Sequence, residues 1–290
     1  MQRLGCIFGI APFFISGTIH HAADLRPSQG SGAHHARLYG DIEGTVFQVF
    51  SAQHVRSGCN RLHLGMGCNI GKHLRKIVGS RDDAVPADEH LIEALVKAFE
   101  QRGPEGEAVI MAYARQLPDK DCPLAERYTR SFNYPEESCV KTRADLEQMG
   151  IKTFFASNVC CAYDREKFWF QGGFIRRTIF NEDMIFAGKA LLQDDYAVAY
   201  AAGARVIHSH NYNCRQQFKR NFDLAVSQAD HPELFGCVRS ESEGIRLVKS
   251  TARFLIRRGK PWLVPGLVVK SGFKFLGYRA GKCYRLLPKW

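Results

Sequence analysis

Two adjacent carboxylates, Glu182 and Asp183, stand between a Gly-rich loop (Gln171-Gly172-Gly173-Phe174) and an apolar run of helical spacing, Met184, Ala187 and Leu191. That spacing predicts a helix whose first turn carries both acids, where unpaired N–H groups and the macrodipole favour negative charge. Position alone favours the plainer role of helix-start acids. A carboxylate fixed there can also serve as general base toward a hydroxyl. A third acid, Asp83, follows the apolar segment Lys76-Ile77-Val78 and directly precedes a helical pattern, and His208 and His210 leave another apolar strand. Alternate strand residues face one side, so both imidazoles can point together. An acid beside imidazoles suits Mn²⁺, and an acid sharing a cation with phosphate oxygens suits Mg²⁺ or Mn²⁺. The alternatives are a helix cap for Asp83, and one core and one surface residue for the histidines.

The elements that must position these residues are legible from Asp82 onward. Pro86, Asp88 and Glu89 before Leu91, Ile92, Leu95, Val96 and Phe99 predict an amphipathic helix with proline in its first turn. Glu107 to Arg115 reads as a buried strand, and Pro118 to Pro135 as a long polar connection rich in aromatics. Thr153 to Ala156 and Val159 to Tyr163 read as strands flanking Ser157-Asn158, and Tyr196 to Ala201 and Ala204 to Ile207 as two more. Helices alternating with short apolar strands predict an α/β sheet with polar residues gathered at strand ends.

Composition narrows the partners. The chain has 290 residues, 45% hydrophobic, and a formal net charge of +11, which favours an anionic partner. From Arg239 to Trp290 there are thirteen Lys or Arg against two acids, an excess equal to that of the whole chain. The ten cysteines include no CxxC pair, a pattern of reduced cytosolic thiols rather than a disulfide framework. Ile7 to Ile19 is apolar enough for a weak signal-peptide reading, but Gly9, Pro12 and Gly17 interrupt it. Between Ala22 and Ser80 only Gly44 to Phe50 reads as a strand, and His34, His35 and His63 lack the partner spacing of a metal site. No helix-turn-helix, zinc-finger or RNA-binding pattern accompanies the charge, so nucleic acid is not the expected partner.

Taken in order, several motifs carry a resemblance. They are Asp83-Ala84-Val85-Pro86-Ala87-Asp88-Glu89-His90-Leu91, Ala114-Arg115-Gln116-Leu117-Pro118, Arg127-Tyr128-Thr129-Arg130-Ser131-Phe132-Asn133-Tyr134-Pro135 and Phe155-Ala156-Ser157-Asn158-Val159-Cys160. Phe180-Asn181-Glu182-Asp183-Met184, His208-Ser209-His210-Asn211-Tyr212 and Gln217-Phe218-Lys219-Arg220-Asn221-Phe222-Asp223 follow. Residues 82–290 thereby resemble the inverting family 2 glycosyltransferases of GT-A fold, and within them the bacterial rhamnosyltransferases that build surface polysaccharides. The resemblance implies a Rossmann-like α/β catalytic domain over 82–236 with a helical extension over 237–290. It implies Asp183 as catalytic base with Glu182 beside it, Asn158 and Asn181 on the acceptor side, and Asp83, Gln217 and Arg220 at the donor diphosphate. It further implies Mg²⁺ or Mn²⁺ held by Asp83 with His208 or His210, and a nucleotide-diphospho-sugar donor, dTDP-rhamnose for the rhamnosyl members. The acceptor is then a saccharide or a lipid-linked saccharide.

One part departs from the resemblance. Residues 1–81 do not carry the β-α-β unit that should bind the nucleotide base, as though a frameshift upstream of Asp82 had replaced it. The fold is therefore expected to lack or disrupt that first unit, and the alternative function is an inactive remnant that binds a membrane or a partner. The basic C-terminal segment interleaves Phe254, Leu255, Ile256, Trp262, Leu263 and Phe275 with Lys and Arg. Such a stretch can lie at a membrane interface, which places the expected protein in the cytoplasm, peripheral to the inner face of the membrane. A helix pair packed on the catalytic domain is the alternative, and no apolar run reaches bilayer length.

Overall fold

The structure, a computed structural model, describes residues 41–42, 45–52, 74–81, 83–236, 238 and 241–287. Its centre is one mixed sheet. Strands β1 (Asp41–Ile42), β2 (Thr45–Ala52), β3 (Leu74–Arg81), β4 (Val85–Pro86), β5 (Val109–Leu117), β6 (Cys139–Lys141), β7 (Cys160–Asp164) and β8 (Ala197–Ile207) lie in the order β1-β2-β3-β7-β5-β8-β4, with β6 also on β8. β2 is parallel to β3 and β5 to β8, while β7 is antiparallel to both its neighbours. The carboxyl ends of β3, β5 and β8 and the amino end of β7 consequently share one edge. In open α/β sheets that edge is where ligands bind.

Around the sheet stand α1 (Leu91–Lys97), α2 (Leu124–Asn133), α3 (Leu146–Met149), α4 (Arg165–Phe170), α5 (Glu182–Gln193), α6 (Cys214–Asp230), α7 (Pro232–Phe235), α8 (Glu241–Arg257) and α9 (Val264–Lys282). Two-residue alternation sorts the strands into two faces. Ala112, Ala114, Cys160, Ala162, Ala197 and Ala199 meet Leu91 and Leu95 of α1, and their small side chains let that helix lie close. Met111, Tyr113, Cys161, Tyr163, Val198 and Tyr200 meet Ile185, Phe186 and Leu191 of α5. The bulk is therefore under α5. Phe186 stands 5.4 Å from Tyr163, 5.0 Å from Phe168 and 5.7 Å from Phe174, ring centre to ring centre. Burying an aromatic such as Phe186, Phe168 or Tyr163 contributes about 1.5–3 kcal/mol, so these rings anchor the helix that carries the two acids to the sheet.

Several sequence expectations need correction. Pro86 is not in a helix; Val85 and Pro86 form β4 on the outer edge of β8, and α1 starts only at Leu91. Proline is tolerated at such an edge because its missing N–H faces away from the ladder. Asp83 accordingly sits in the turn between β3 and β4 rather than directly before a helix. The polar connection after Pro118 contains α2, whose side chains include none that is fully buried, so its apolar stripe was too thin to read. Thr153 to Ala156 is no strand: a 3-10 turn over Gly150–Thr153 leads into it, and Phe154 is fully buried. The two strands expected between Tyr196 and Ile207 are one, β8, in which residues 202–204 bulge as the pairing with β5 skips from Ala201 to Arg205. Gly44 to Phe50 is met by β2, and Lys76-Ile77-Val78 by the longer β3. Residues 1–40 and 53–73, which carry the signal-peptide reading, the stray histidines and most of the proposed frame change, lie outside the described residues.

The C-terminal segment is helical and docks on α6. A Cβ built on Gly277 would lie 2.3 Å from the Phe218 carbonyl oxygen, and one on Gly281 2.3 Å from that of Phe222. Only glycine permits this approach, and the matched four-residue steps make the two helices run in register. Gly277→Leu is expected to cost about 1–3 kcal/mol through overpacking, read as a lower thermal midpoint and faster proteolysis between α8 and α9. An unchanged midpoint and cleavage rate would contradict this docking.

Candidate active site

Four of the sheet's strand ends contribute to one polar cluster. Asp83 leaves β3, Gln116 closes β5, Asn158 precedes β7, and His208 follows β8, its N–H donating to the Leu117 carbonyl at 2.9 Å. Glu182 and Asp183 open α5 above the same edge.

The acid pair is held by Asn158. Its backbone N–H donates to Asp183 Oδ2 at 3.0 Å, and its Nδ2 donates to Glu182 Oε1 at 3.2 Å. The Tyr163 hydroxyl in turn donates to Asn158 Oδ1, so all the polar groups of this buried side chain are spent on orienting its neighbours. The Met184 N–H gives Asp183 Oδ1 a further bond at 2.8 Å. Asp183 as a whole is half-buried. Desolvation, then the adjacent Glu182 charge, raises the Asp183 carboxyl to about 7 against the opposing pull of the backbone N–H groups of Asn158, Met184 and Asp183 itself. A base poised near neutral pH is the form in which a carboxylate accepts a hydroxyl proton most effectively.

The second group is Asp83 with the two histidines. His208 Nδ1 lies 3.4 Å from Asp83 Oδ1 and His210 Nε2 3.5 Å from Asp83 Oδ2. Burial lifts the Asp83 carboxyl, but Arg81, at 3.3 Å, and then the histidines prevail and hold it below its ordinary value. Burial lowers both imidazoles, His210 to about 4 with help from His208. They are thus neutral at pH 7, the form that ligates metals. One ligand atom from each of the three residues falls within 4.8 Å of the others, and the buried His210 Nε2 has no hydrogen-bond partner. This oxygen and two-nitrogen set fits a divalent cation, and it fits Mn²⁺ better than Mg²⁺, which takes oxygen almost alone.

Arg220 joins the halves. Its guanidinium lies 4.7 Å from the ring centre of Phe180, two residues before Glu182, and 5.6 Å from that of Tyr212, which packs on His210 at 4.8 Å. Gln217 is buried three residues earlier on α6, and no hydrogen bond joins it to the acids or the histidines. Asn181 is also buried. It adopts a left-handed conformation (φ 61°), and its Nδ2 donates to the Leu224 carbonyl at 3.2 Å, tying the start of α5 to α6 rather than facing the open site.

Reasoning from sequence left other members without a role. Gln116 Nε2 donates to the Tyr134 hydroxyl at 2.6 Å and to Ser157 Oγ at 2.8 Å, while its Oε1 accepts from Arg130. This layer lies directly beneath Asn158. Lys141, fully buried, donates to the Lys152 and Phe155 carbonyls and so fixes the turn that leads to Asn158, with burial pulling its ammonium down to about 7. Only one signal was available, a glutamine and a lysine inside apolar strand patterns, and it names no partner.

Fold and site together define a mixed α/β protein with its polar residues gathered at the carboxyl edge of the sheet. Over 215 residues, 73% of this chain, it is 40% identical to the O-antigen chain rhamnosyltransferase RfbN of Salmonella typhimurium and 37% identical to the O-antigen chain rhamnosyltransferase WbaN of Salmonella anatum. Over that stretch the chain is a homologue of the O-antigen chain rhamnosyltransferases, as the sequence motifs led one to expect. It spans 66% and 65% of the lengths of these two relatives. No protein-family model matches the chain. The structure of S. aureus TarS 1-349 covers 73% of this chain and 67% of its own at 13% identity and a TM-score of 0.29, too low for an argument about shape.

Glu182→Gln tests the acid pair directly, since it keeps the oxygen that Asn158 bonds and removes the like charge. The Asp183 midpoint, followed by carboxyl NMR, is expected to fall. Because its folded value lies above the unfolded one, the group's contribution to stability is full at low pH and is lost as pH rises through about 7. Urea unfolding across that window should therefore show a smaller loss in the variant; an unmoved midpoint would refute the coupling.

Proposed function

We propose that this protein is an inverting glycosyltransferase of GT-A type that moves rhamnose from a nucleotide-diphosphate donor, dTDP-rhamnose, to a saccharide or lipid-linked acceptor in surface polysaccharide synthesis. The observation that carries the reading is the enclosed Asp183 carboxylate on the same sheet edge as the Asp83, His208 and His210 cluster. The names of the two homologous rhamnosyltransferases supply the sugar and the process. The intact geometry of both groups favours catalysis over an inactive remnant.

In this reading Asp183 takes the proton of an acceptor hydroxyl as that oxygen attacks the anomeric carbon from the face opposite the diphosphate. Asn158 keeps the base aimed, and Glu182 keeps its proton affinity high. Arg220 supports the departing diphosphate, for which a planar, permanently charged group is suited. Asp83, His208 and His210 would hold Mn²⁺ or Mg²⁺, which supplies positive charge to the diphosphate oxygens.

The exposed face of the C-terminal hairpin is read as contact with an anionic membrane surface, where a lipid-linked acceptor resides. Trp262, Val268, Val269, Phe275 and Leu276 are exposed there, with Lys260 over the Trp262 ring at 5.0 Å. Among the described residues no helix is long and apolar enough to cross a membrane. Val269→Glu with Leu276→Glu should abolish flotation with vesicles containing phosphatidylglycerol; flotation at wild-type level would refute the contact.

Asp183→Asn keeps the side-chain shape and removes the base. Transfer from dTDP-rhamnose is expected to drop by about 10²–10⁴-fold, with an unchanged circular dichroism spectrum. Near wild-type transfer by the variant would take Asp183 out of this role.

A further inference from the structure

The turn that leads to Asn158 is held both from within the fold and from the C-terminal hairpin at one residue, Lys152. Its carbonyl accepts from the Phe155 N–H at 3.1 Å and from the buried Lys141 ammonium at 3.2 Å. Its own ammonium meets α8, 3.2 Å from Glu243 Oε2, and lies 4.2 Å from the ring centre of Phe132 on α2. Glu243 also holds Arg246 at 3.1 Å, and the Arg246 guanidinium stands 5.2 Å from the same ring. Two cations, a carboxylate and an aromatic ring from three segments thus form one network, with only 26% of the Lys152 and Glu243 side chains exposed. Such a network holds geometry where an isolated surface pair does not. Lys152 is the only charged residue between Gly150 and Asn158, so no other side chain of the turn can make an ion pair.

We propose that Lys152 is a positioning residue: it ties α8 to the turn that leads to Asn158 and so keeps Asp183 aimed at its substrate. This tie, which rests on the reading of Asp183 as base, makes the C-terminal hairpin part of what orients the acid pair. α8 is seated firmly enough to serve, since Thr251 and Leu255 are fully buried and Phe254 stacks on Tyr128 of α2 at 4.6 Å. From Lys152 inward the path is short. Phe155 gives its carbonyl to Lys141, Ser157 Oγ accepts from Gln116 at 2.8 Å, and Asn158 bonds both acids. With the turn released, the Asn158 N–H draws back from Asp183 Oδ2, and a carboxylate that loses a donor binds its proton more tightly. A base out of line slows the chemical step, while the binding of the donor is untouched.

Carboxyl NMR of Asp183, turnover of dTDP-rhamnose with water as acceptor and the thermal midpoint are measured on the whole protein. Wild type is compared with Lys152→Met, Lys152→Arg, Glu243→Ala and Lys167→Met. Lys167 pairs with Asp164 at 3.0 Å at the far end of β7 and controls for the loss of an ordinary lysine–acid pair. Lys152→Met and Glu243→Ala are each expected to raise the Asp183 midpoint above its wild-type value of about 7. Each should also lower kcat by about tenfold and leave KM for dTDP-rhamnose within about twofold. Lys152→Arg should restore most of both, and Lys167→Met should leave both in place. An Asp183 midpoint unmoved in Lys152→Met, whatever the thermal midpoint does, would overturn the tie. A shift that Glu243→Ala does not share, or that Lys167→Met matches, would overturn it as well. The NMR arm needs no turnover, so a moved midpoint without turnover, or with unchanged kcat, would refute Asp183 as base and not the tie.

Discussion

The arrangement of the site depends on the bonds between Asn158 and the two acids that open α5. One residue spends its backbone N–H on Asp183 and its side-chain amide on Glu182, while Tyr163 fixes its remaining oxygen. Two like charges side by side at a half-enclosed position repel each other, and helix-start N–H groups alone do not hold them in a single geometry. Asn158 does so from the turn just before β7, which joins the position of the acids to the register of β7 in the sheet.

From that constraint the rest follows outward. Asn158 is itself positioned by the layer beneath it, Gln116 between Tyr134, Ser157 and Arg130, and by the turn that Lys141 ties down. The aromatic cluster of Tyr163, Phe168, Phe174 and Phe186 keeps α5 from shifting against the sheet. On the other side of the site Asp83 and the two histidines come together because β3 and β8 end at the same edge. Stability is sacrificed locally: an acid raised to about 7, two imidazoles kept neutral and an unpartnered histidine nitrogen all sit within this region. Such concentrations of strained electrostatics are characteristic of working sites.

Much of this was readable from residue order, for identifiable reasons. Glu182-Asp183 before an apolar helical run gave both the helix and its acids, and the one-residue gap between His208 and His210 gave two rings on one side of a chain leaving a strand. The motifs from Asp83 to Asp223 gave the homology. What stayed hidden depends on contacts between distant segments. Pro86 looks like a helix start until β8 appears beside it, and α2 lacks the buried stripe by which helices are recognised. Gln116 and Lys141 look like interruptions in strands until the loop before Asn158 closes on them.

The central claim is that Asp183 is a base whose proton affinity is set by enclosure and by Glu182. It is tested most directly by the pH dependence of kcat/KM for rhamnosyl transfer in the wild type and in Glu182→Gln. The account predicts a rate that rises with pH through a single ionisation near 7 in the wild type, and at lower pH in the variant. A profile without that ionisation, or one that Glu182→Gln leaves in place, would contradict it.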